Sequence, residues 1–199
     1  GYYDHLKNMI DHMLGEGLLK SEYRSLLIFS TKQEDLIKLL IYYRRIAPEA
    51  KLYLVGSHWL KSYVNWLEDF IELMGLRGAV EMPGRVSQQD MVTYFRTADL
   101  YVSMSEHEGF GKPYIESMYL GTPILAYNAA STPYILQDTG VTFEEKGYER
   151  LAELVDLLVK DRPLRERIVE KQRGRFKDFL EPTVYEQFVG ILRTAGILA

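Results

Sequence analysis

Between Ser25 and Phe143, short apolar runs alternate with longer stretches of helical periodicity, and that alternation leaves few folds open. Strands separated by helices are the pattern of crossover units in a mainly parallel sheet. The candidate strands are Leu26-Leu-Ile-Phe29, Leu52-Tyr-Leu-Val55, Ala79-Val-Glu-Met82, Leu100-Tyr-Val-Ser103, Pro123-Ile-Leu-Ala126 and, at an edge, Val141-Thr-Phe143. Between the first two, Leu36, Leu39, Leu40 and Tyr43 recur at the spacing of one buried helix face, and Pro48 ends that helix. Tyr63, Leu67, Phe70, Ile71 and Met74 repeat on a second helix closed by Gly75. Ser87, with Asp90 three residues on, predicts a capped helix start, and Pro113 is expected at the first position of a helix that Gly121 closes.

The C-terminal third reads as amphipathic helices over Tyr148 to Val159 and Arg165 to Phe179, with a last short helix after Pro182. Leu6, Met9, Ile10, Met13 and Leu14 have helical spacing with no strand after them, which predicts an added N-terminal helix. The expectation is an α/β chain: a doubly wound, mainly parallel, Rossmann-like sheet of about six strands with helices on both faces. Residues 1–24 form an N-terminal helical extension in this reading, 25–181 the sheet domain and 182–199 a C-terminal helix. In such sheets ligands sit beyond the carboxyl ends of strands, here at Ser30 to Lys32, Gly56 to Trp59 and Ser105 to Gly111.

Composition narrows the function. At 199 residues, 47% hydrophobic and 26% charged, the chain has room for one well-buried core. A formal net charge of −4 argues against nucleic acid as partner, and an anionic ligand has to be held by local groups. Cysteine is absent, which removes disulfides, thiolate metal sites and a cysteine nucleophile. No apolar run is long enough for a membrane span, and the N-terminus lacks a signal-peptide layout, so the expected location is cytoplasmic. A chain that opens on Gly1 is also read as a fragment of something longer.

The stretch with most chemistry is Glu108-Gly-Phe-Gly-Lys-Pro-Tyr-Ile-Glu116, two carboxylates with seven residues between them, placed directly after a strand. Taken singly, each glutamate would be a solvated surface acid. Together with Gly109 and Gly111, which permit close backbone approach, they outline a strand-turn-helix where N–H groups face an anion. A glutamate pointing at a diphosphate would repel it, so the sensible role for both acids is to accept hydrogen bonds from sugar hydroxyls. His58 and His107 read as hydrogen-bonded surface residues, and no metal site is expected. Ser103 and Ser105 lack the flanking glycines of a nucleophile elbow.

Ser105-Glu-His-Glu-Gly-Phe-Gly-Lys-Pro-Tyr-Ile-Glu-Ser-Met118, followed by Gly121-Thr-Pro-Ile-Leu125, resembles the donor-binding half of retaining glycosyltransferases with the GT-B fold, the glycosyltransferase group 1 family. Gln33-Glu-Asp-Leu-Ile37, Ala50-Lys-Leu-Tyr-Leu-Val-Gly56 and Pro83-Gly-Arg-Val-Ser87 extend the similarity in the expected order, from about Leu26 to Phe179. The resemblance implies that Glu116 takes the ribose hydroxyls of a nucleoside-diphosphate sugar and Glu108 lies near the transferred sugar. It further implies that Gly109 and the backbone of Phe110, Gly111 and Lys112 face the sugar or diphosphate, and that Arg85, Val86 and Ser87 pack against the base. Lys32 is the candidate cation for the leaving diphosphate.

Two departures stand out. Ile28-Phe-Ser-Thr-Lys-Gln-Glu-Asp35 passes from strand to helix without the family's Gly-Arg and with Lys32 as its one cation, although the flanking residues stay in register. This favours a segment missing between Ser30 and Thr31 over a true deletion. Ser131-Thr-Pro-Tyr134 replaces the family's Pro-Glu, and Tyr134 cannot stand in for an acid.

The resulting expectation is a hexosyltransferase donor domain that uses a UDP- or GDP-linked sugar and no cofactor. Its partner would be an N-terminal acceptor-binding domain absent from this chain, through which peripheral membrane attachment could arise. The alternatives are a non-catalytic nucleotide-sugar-binding module, a GT-B-like epimerase or phosphorylase half, and a flavodoxin-like interaction domain that binds no nucleotide.

Overall fold

The computed structural model describes residues 33–56 and 60–198. The expected N-terminal extension, the strand at Leu26–Phe29, Lys32 and His58 lie outside the described residues. In chain order the elements are α1 (Gln33–Ile46), β1 (Leu52–Val55), α2 (Lys61–Leu73), β2 (Val80–Gly84), α3 (Gln88–Thr97), β3 (Tyr101–Ser103) and α4 (Lys112–Leu120). They continue with β4 (Ile124–Tyr127), α5 (Thr132–Leu136), β5 (Val141–Phe143), α6 (Tyr148–Lys160), α7 (Arg162–Phe176) and α8 (Glu181–Thr194).

Among the described residues there are five strands, all paired in parallel. β1 pairs with β2, and β3, β4 and β5 form a sheet with β4 at its centre. The register Val102↔Leu125↔Val141 brings Ser103, Ala126 and Thr142 level across the second sheet.

β4 shows why the sheet is covered on both faces. Its residues Ile124, Leu125 and Ala126 are all fully buried, yet successive strand side chains point to opposite sides. Leu125 joins a large core with Leu36, Ile37 and Leu40 of α1 and Leu151, Val155 and Leu158 of α6. Ile124 and Ala126 join a second core with Tyr114 and Met118 of α4 and Ile135 and Leu136 of α5. Burial of this kind contributes about 1.5–3 kcal/mol for each large aliphatic side chain.

Local signals set most helix ends. Ser87 Oγ accepts from the Asp90 N–H at 3.1 Å, the cap expected from the sequence. Gly121, with φ 79°, ends α4 as expected. α4 begins one residue earlier than expected, at Lys112, which places Pro113 second; Gly111 in the left-handed region serves as N-cap. α7 starts at Arg162 rather than Arg165 because the Asp161 carboxylate accepts from the Leu164 N–H at 2.9 Å, and its end tightens into a 3₁₀ turn over Lys177–Phe179. The short helix α5 has too few residues for periodicity to reveal it.

Gln172, fully buried on α7, fastens that helix to the sheet. Its side chain donates to Thr122 O at 2.9 Å and accepts from the Ile124 N–H at 3.2 Å. The Ser117 hydroxyl also donates to Thr122 O, at 2.8 Å, so this buried carbonyl is bonded twice.

Candidate functional site

The strands end at Val55, Gly84, Ser103, Tyr127 and Phe143, and the loops that follow them carry most of the sequence-predicted residues. The longest described one, between β3 and α4, is built from inside by small hydroxyls. Ser103 and Ser105 are buried; Ser103 Oγ accepts from the Ser105 N–H at 3.3 Å, and Ser105 Oγ accepts from the His107 N–H at 3.4 Å. From outside, Ser131 Oγ donates to the Glu108 carbonyl at 2.9 Å. The loop therefore holds one shape up to the residue that carries the first acid.

Gly111 makes the turn into α4. At φ 65° it occupies backbone space that side chains resist, and a Cβ there would stand 2.5 Å from Ile135 Cδ1 and 2.7 Å from Tyr114 Cδ2. Gly109 has open space around it and no such constraint. Phe110, between the two glycines, is exposed. The start of α4 thus presents the positive end of a helix dipole to the loop.

The charges of Glu108 and Glu116, at the two ends of this turn, both act on the Tyr101 hydroxyl. The Tyr101 hydroxyl is held well above the ordinary tyrosine pKa, first by burial and then by the Tyr114 hydroxyl and the charges of Glu108 and Glu116. Tyr114 OH and Thr132 Oγ1 lie 3.2 Å apart beneath them. Glu108 is half-buried, and burial pushes its carboxyl above the usual range against the opposing effect of a Ser105 hydrogen bond. Glu116, on α4, has its Oε1 3.3 Å from Lys112 Nζ. The two acids flank the helix start, as the strand-turn-helix pattern requires.

Arg85 and Ser87 are exposed and Val86 half-buried in the turn after β2. The Ser87 hydroxyl is committed to capping α3, accepting from Asp90 N–H and donating to Asp90 Oδ2 at 2.6 Å. Gly84 O accepts from the Gly56 N–H at 3.0 Å, which ties this turn to the end of β1. Tyr134 is 78% exposed and reaches no acidic role. Among the described residues, no group of three or more histidine, aspartate and glutamate side chains converges as a cation site.

Sequence reasoning missed a charged cluster beside the loop. Lys146, just after β5, has its Nζ 2.8 Å from Asp35 Oδ2 and 2.8 Å from Glu106 Oε1. Asp35 is buried at the start of α1 and also accepts from Tyr148 OH at 2.7 Å. Burial raises the Asp35 pKa, but the Lys146 and Tyr148 hydrogen bonds and the nearby ammonium charges outweigh it, and the carboxyl is held low. No local spacing marks these residues as partners; the one available signal was an acid at the first turn of α1.

Residues 28–175 match the sequence model of the family Glycosyl transferases group 1. Mannosylfructose-phosphate synthase of Agrobacterium fabrum is 30% identical over 131 residues, covering 54% of this chain and 29% of that protein. The GDP-mannose-dependent monoacylated alpha-(1-6)-phosphatidylinositol monomannoside mannosyltransferase of Corynebacterium glutamicum is 28% identical over 141 residues, 67% of this chain and 35% of that protein. The chain spans about a third of the length of these curated relatives. Among solved structures, Alr3699/HepE of Anabaena in complex with UDP has a TM-score of 0.72 at 22% identity, covering 83% of this chain and 46% of that one. The C-terminal domain of a glycosyl transferase group 1 family protein from Francisella tularensis has a TM-score of 0.64 at 23% identity, covering 74% and 78%. These likenesses bear out the parallel Rossmann-like fold. With the family model matched over most of its length, this chain belongs to the glycosyl transferases group 1 family.

Proposed function

We propose that this chain is the donor-binding half of a retaining glycosyltransferase, which takes a hexosyl unit from a nucleoside-diphosphate sugar to an acceptor hydroxyl. The observation that carries the reading is the placement of Glu108 and Glu116 on either side of the α4 start, in a family of glycosyl transferases. In this reading Glu116 accepts hydrogen bonds from the ribose hydroxyls, where a carboxylate makes strong and directional contacts. The α4 start, with the backbone of Gly109, Phe110, Gly111 and Lys112, faces the sugar or diphosphate. Glu108 accepts from a hydroxyl of the transferred sugar, and Arg85, Val86 and Ser87 form the wall against the base.

Transfer breaks the bond between the anomeric carbon and the diphosphate oxygen, and the diphosphate leaves with the electron pair. The sugar passes through an oxocarbenium-like transition state and is captured on the same face by the acceptor oxygen, whose proton passes to the departing diphosphate oxygen. Charge gathering on the diphosphate is offset by the α4 dipole, with Lys32 as the candidate cation. The acceptor is supplied by a second, N-terminal domain, so this half alone binds nucleotide and turns over little. Among the described residues no helix is long and apolar enough to cross a membrane, and the location we propose is cytoplasmic.

Calorimetric titration of the 199-residue chain with UDP, GDP and ADP tests the reading. Saturable binding of one of them is expected, and Glu116→Ala weakens it by about 1.5–3 kcal/mol, the range for hydrogen bonds to a charged group. No binding of any of the three at millimolar concentration overturns the donor site. A second reading, nucleotide-sugar binding without transfer, draws on the engagement of nearby cations: Lys112 pairs with Glu116, and Lys146 with Asp35 and Glu106. Release of nucleoside diphosphate by the chain joined to its acceptor domain separates the two.

A further inference from the structure

We propose that Lys146 is a positioning residue for the sugar end of the donor site, acting through Glu106 on the loop that carries Glu108. The inference rests on the donor-site reading above. Its ammonium joins three segments distant in sequence: the start of α1 through Asp35, the β3–α4 loop through Glu106, and its own turn between β5 and α6. The Lys146 side chain is 17% exposed, and its Nζ lies 4.8 Å from the centre of the Tyr127 ring. Two carboxylates and an aromatic face fix the ammonium in a partly desolvated setting, where such contacts are stronger than at an open surface.

The two arms of this bridge differ in purpose. The Asp35 arm ties α1 to the turn before α6, and α1 and α6 are already packed through Leu36, Leu40, Leu151 and Val155 and linked by Tyr148 OH on Asp35. The Glu106 arm adds nothing to that packing. It reaches instead to a residue two positions before Glu108, in a loop that Ser131 Oγ also tethers through the Glu108 carbonyl. Glu108 therefore has a charged anchor beside it at Glu106 and a neutral one at its own carbonyl, in addition to the Ser105 hydrogen bond of its carboxyl. Glu116 sits on α4, held by helix packing through Tyr114 and Met118, and does not depend on either. Cutting the Lys146–Glu106 link loosens the acid assigned to the sugar and leaves the acid assigned to ribose in place.

The test compares affinity for UDP with UDP-glucose and for GDP with GDP-mannose, in wild type, Glu106→Ala, Lys146→Met and Lys146→Arg. Glu106→Ala leaves the Lys146–Asp35 pair intact, so it reports on the loop even where Lys146→Met fails to fold. The expected result is a loss of at least about fivefold in the extra affinity conferred by the hexosyl group in Glu106→Ala, the scale of one charged hydrogen bond. Affinity of Glu106→Ala for the diphosphate alone stays within about twofold, on the same scale. Amide exchange over residues 106–111 quickens in both bridge-cutting variants, and Lys146→Arg keeps the wild-type ratio. An unchanged ratio in Glu106→Ala overturns the inference, as does a parallel loss for diphosphate and sugar diphosphate. A wild-type chain that binds diphosphates with no gain from the hexosyl group overturns it too, through the role of Glu108. Wild-type chain that binds no nucleotide overturns the donor-site reading itself.

Discussion

Lys112 Nζ lies 3.3 Å from Glu116 Oε1, one turn along α4, so the carboxylate assigned to ribose already has a cationic partner. Both side chains are substantially exposed, at 51% and 31%, and a pair of this kind contributes at most about 1 kcal/mol. In the donor site we propose, ribose hydroxyls displace the ammonium at little cost, and Lys112 stays at the helix start.

The consequence is a split in ligand preference. Lys112→Met is expected to weaken UDP or GDP binding by about 3- to 10-fold, the scale of one screened charge contact, while affinity for the bare nucleoside holds or rises. Titrations of nucleoside and nucleoside diphosphate in parallel check this. Equal losses for both ligands would remove Lys112 from the diphosphate side.

Glu108 predicts a trade between stability and binding. Its carboxyl is held above the ordinary value in the fold, so the folded chain binds that proton more tightly than the unfolded one. Its contribution then favours folding at low pH and turns unfavourable as pH rises through the raised pKa. Glu108→Gln should raise Tm at pH 7, lose that advantage as pH falls through the raised pKa toward the ordinary glutamate value, and weaken sugar-nucleotide binding. Thermal melts from pH 4 to 8 measure it; a gain that is the same at every pH contradicts the assignment.

The two glycines of the turn should respond differently. Gly111→Ala forces a side chain into the left-handed region and against Ile135 and Tyr114, and costs about 1–3 kcal/mol. Gly109→Ala meets no atom within 4 Å and is expected to change stability by less than about 0.5 kcal/mol. Denaturant unfolding of the two variants side by side distinguishes a turn set by Gly111 from one set by both.

Asp35 gives the fold an acid-sensitive strut. Its depressed pKa means that its stabilisation is fully present above the ordinary aspartate range near pH 4 and is lost as pH falls through the lower folded value. Asp35→Asn should cost about 1–3 kcal/mol at pH 7, toward the lower end for a broken buried pair because Lys146 keeps Glu106. It should also flatten the fall in stability between about pH 4 and pH 2. Chemical denaturation at stepped pH reads both effects.

Much of the fold was legible because its signals are local. The alternation of runs placed β1 to β5 within a residue or two, and Ser87 and Gly121 each mark a helix boundary through their own backbone chemistry. α5 was not legible, since five residues span barely more than one turn and leave no period to detect. In the site, the order Glu108, Gly109, Gly111, Glu116 could be read directly because strand end, turn and helix start are contiguous.

The sequence by itself determined the parallel α/β plan, the strand-turn-helix with its two acids, and the family these residues resemble, all from patterns a few residues long. Only the tertiary structure decided what holds that turn in place: Lys146 reaches Asp35 across 111 positions and Glu106 across 40, Ser131 reaches Glu108 across 23, and Gln172 reaches Thr122 across 50. Periodicity and capping record neighbours within a turn or a strand. Contacts between distant loops exist only after hydrophobic burial has brought the carboxyl ends of the strands together, and no residue spacing encodes them.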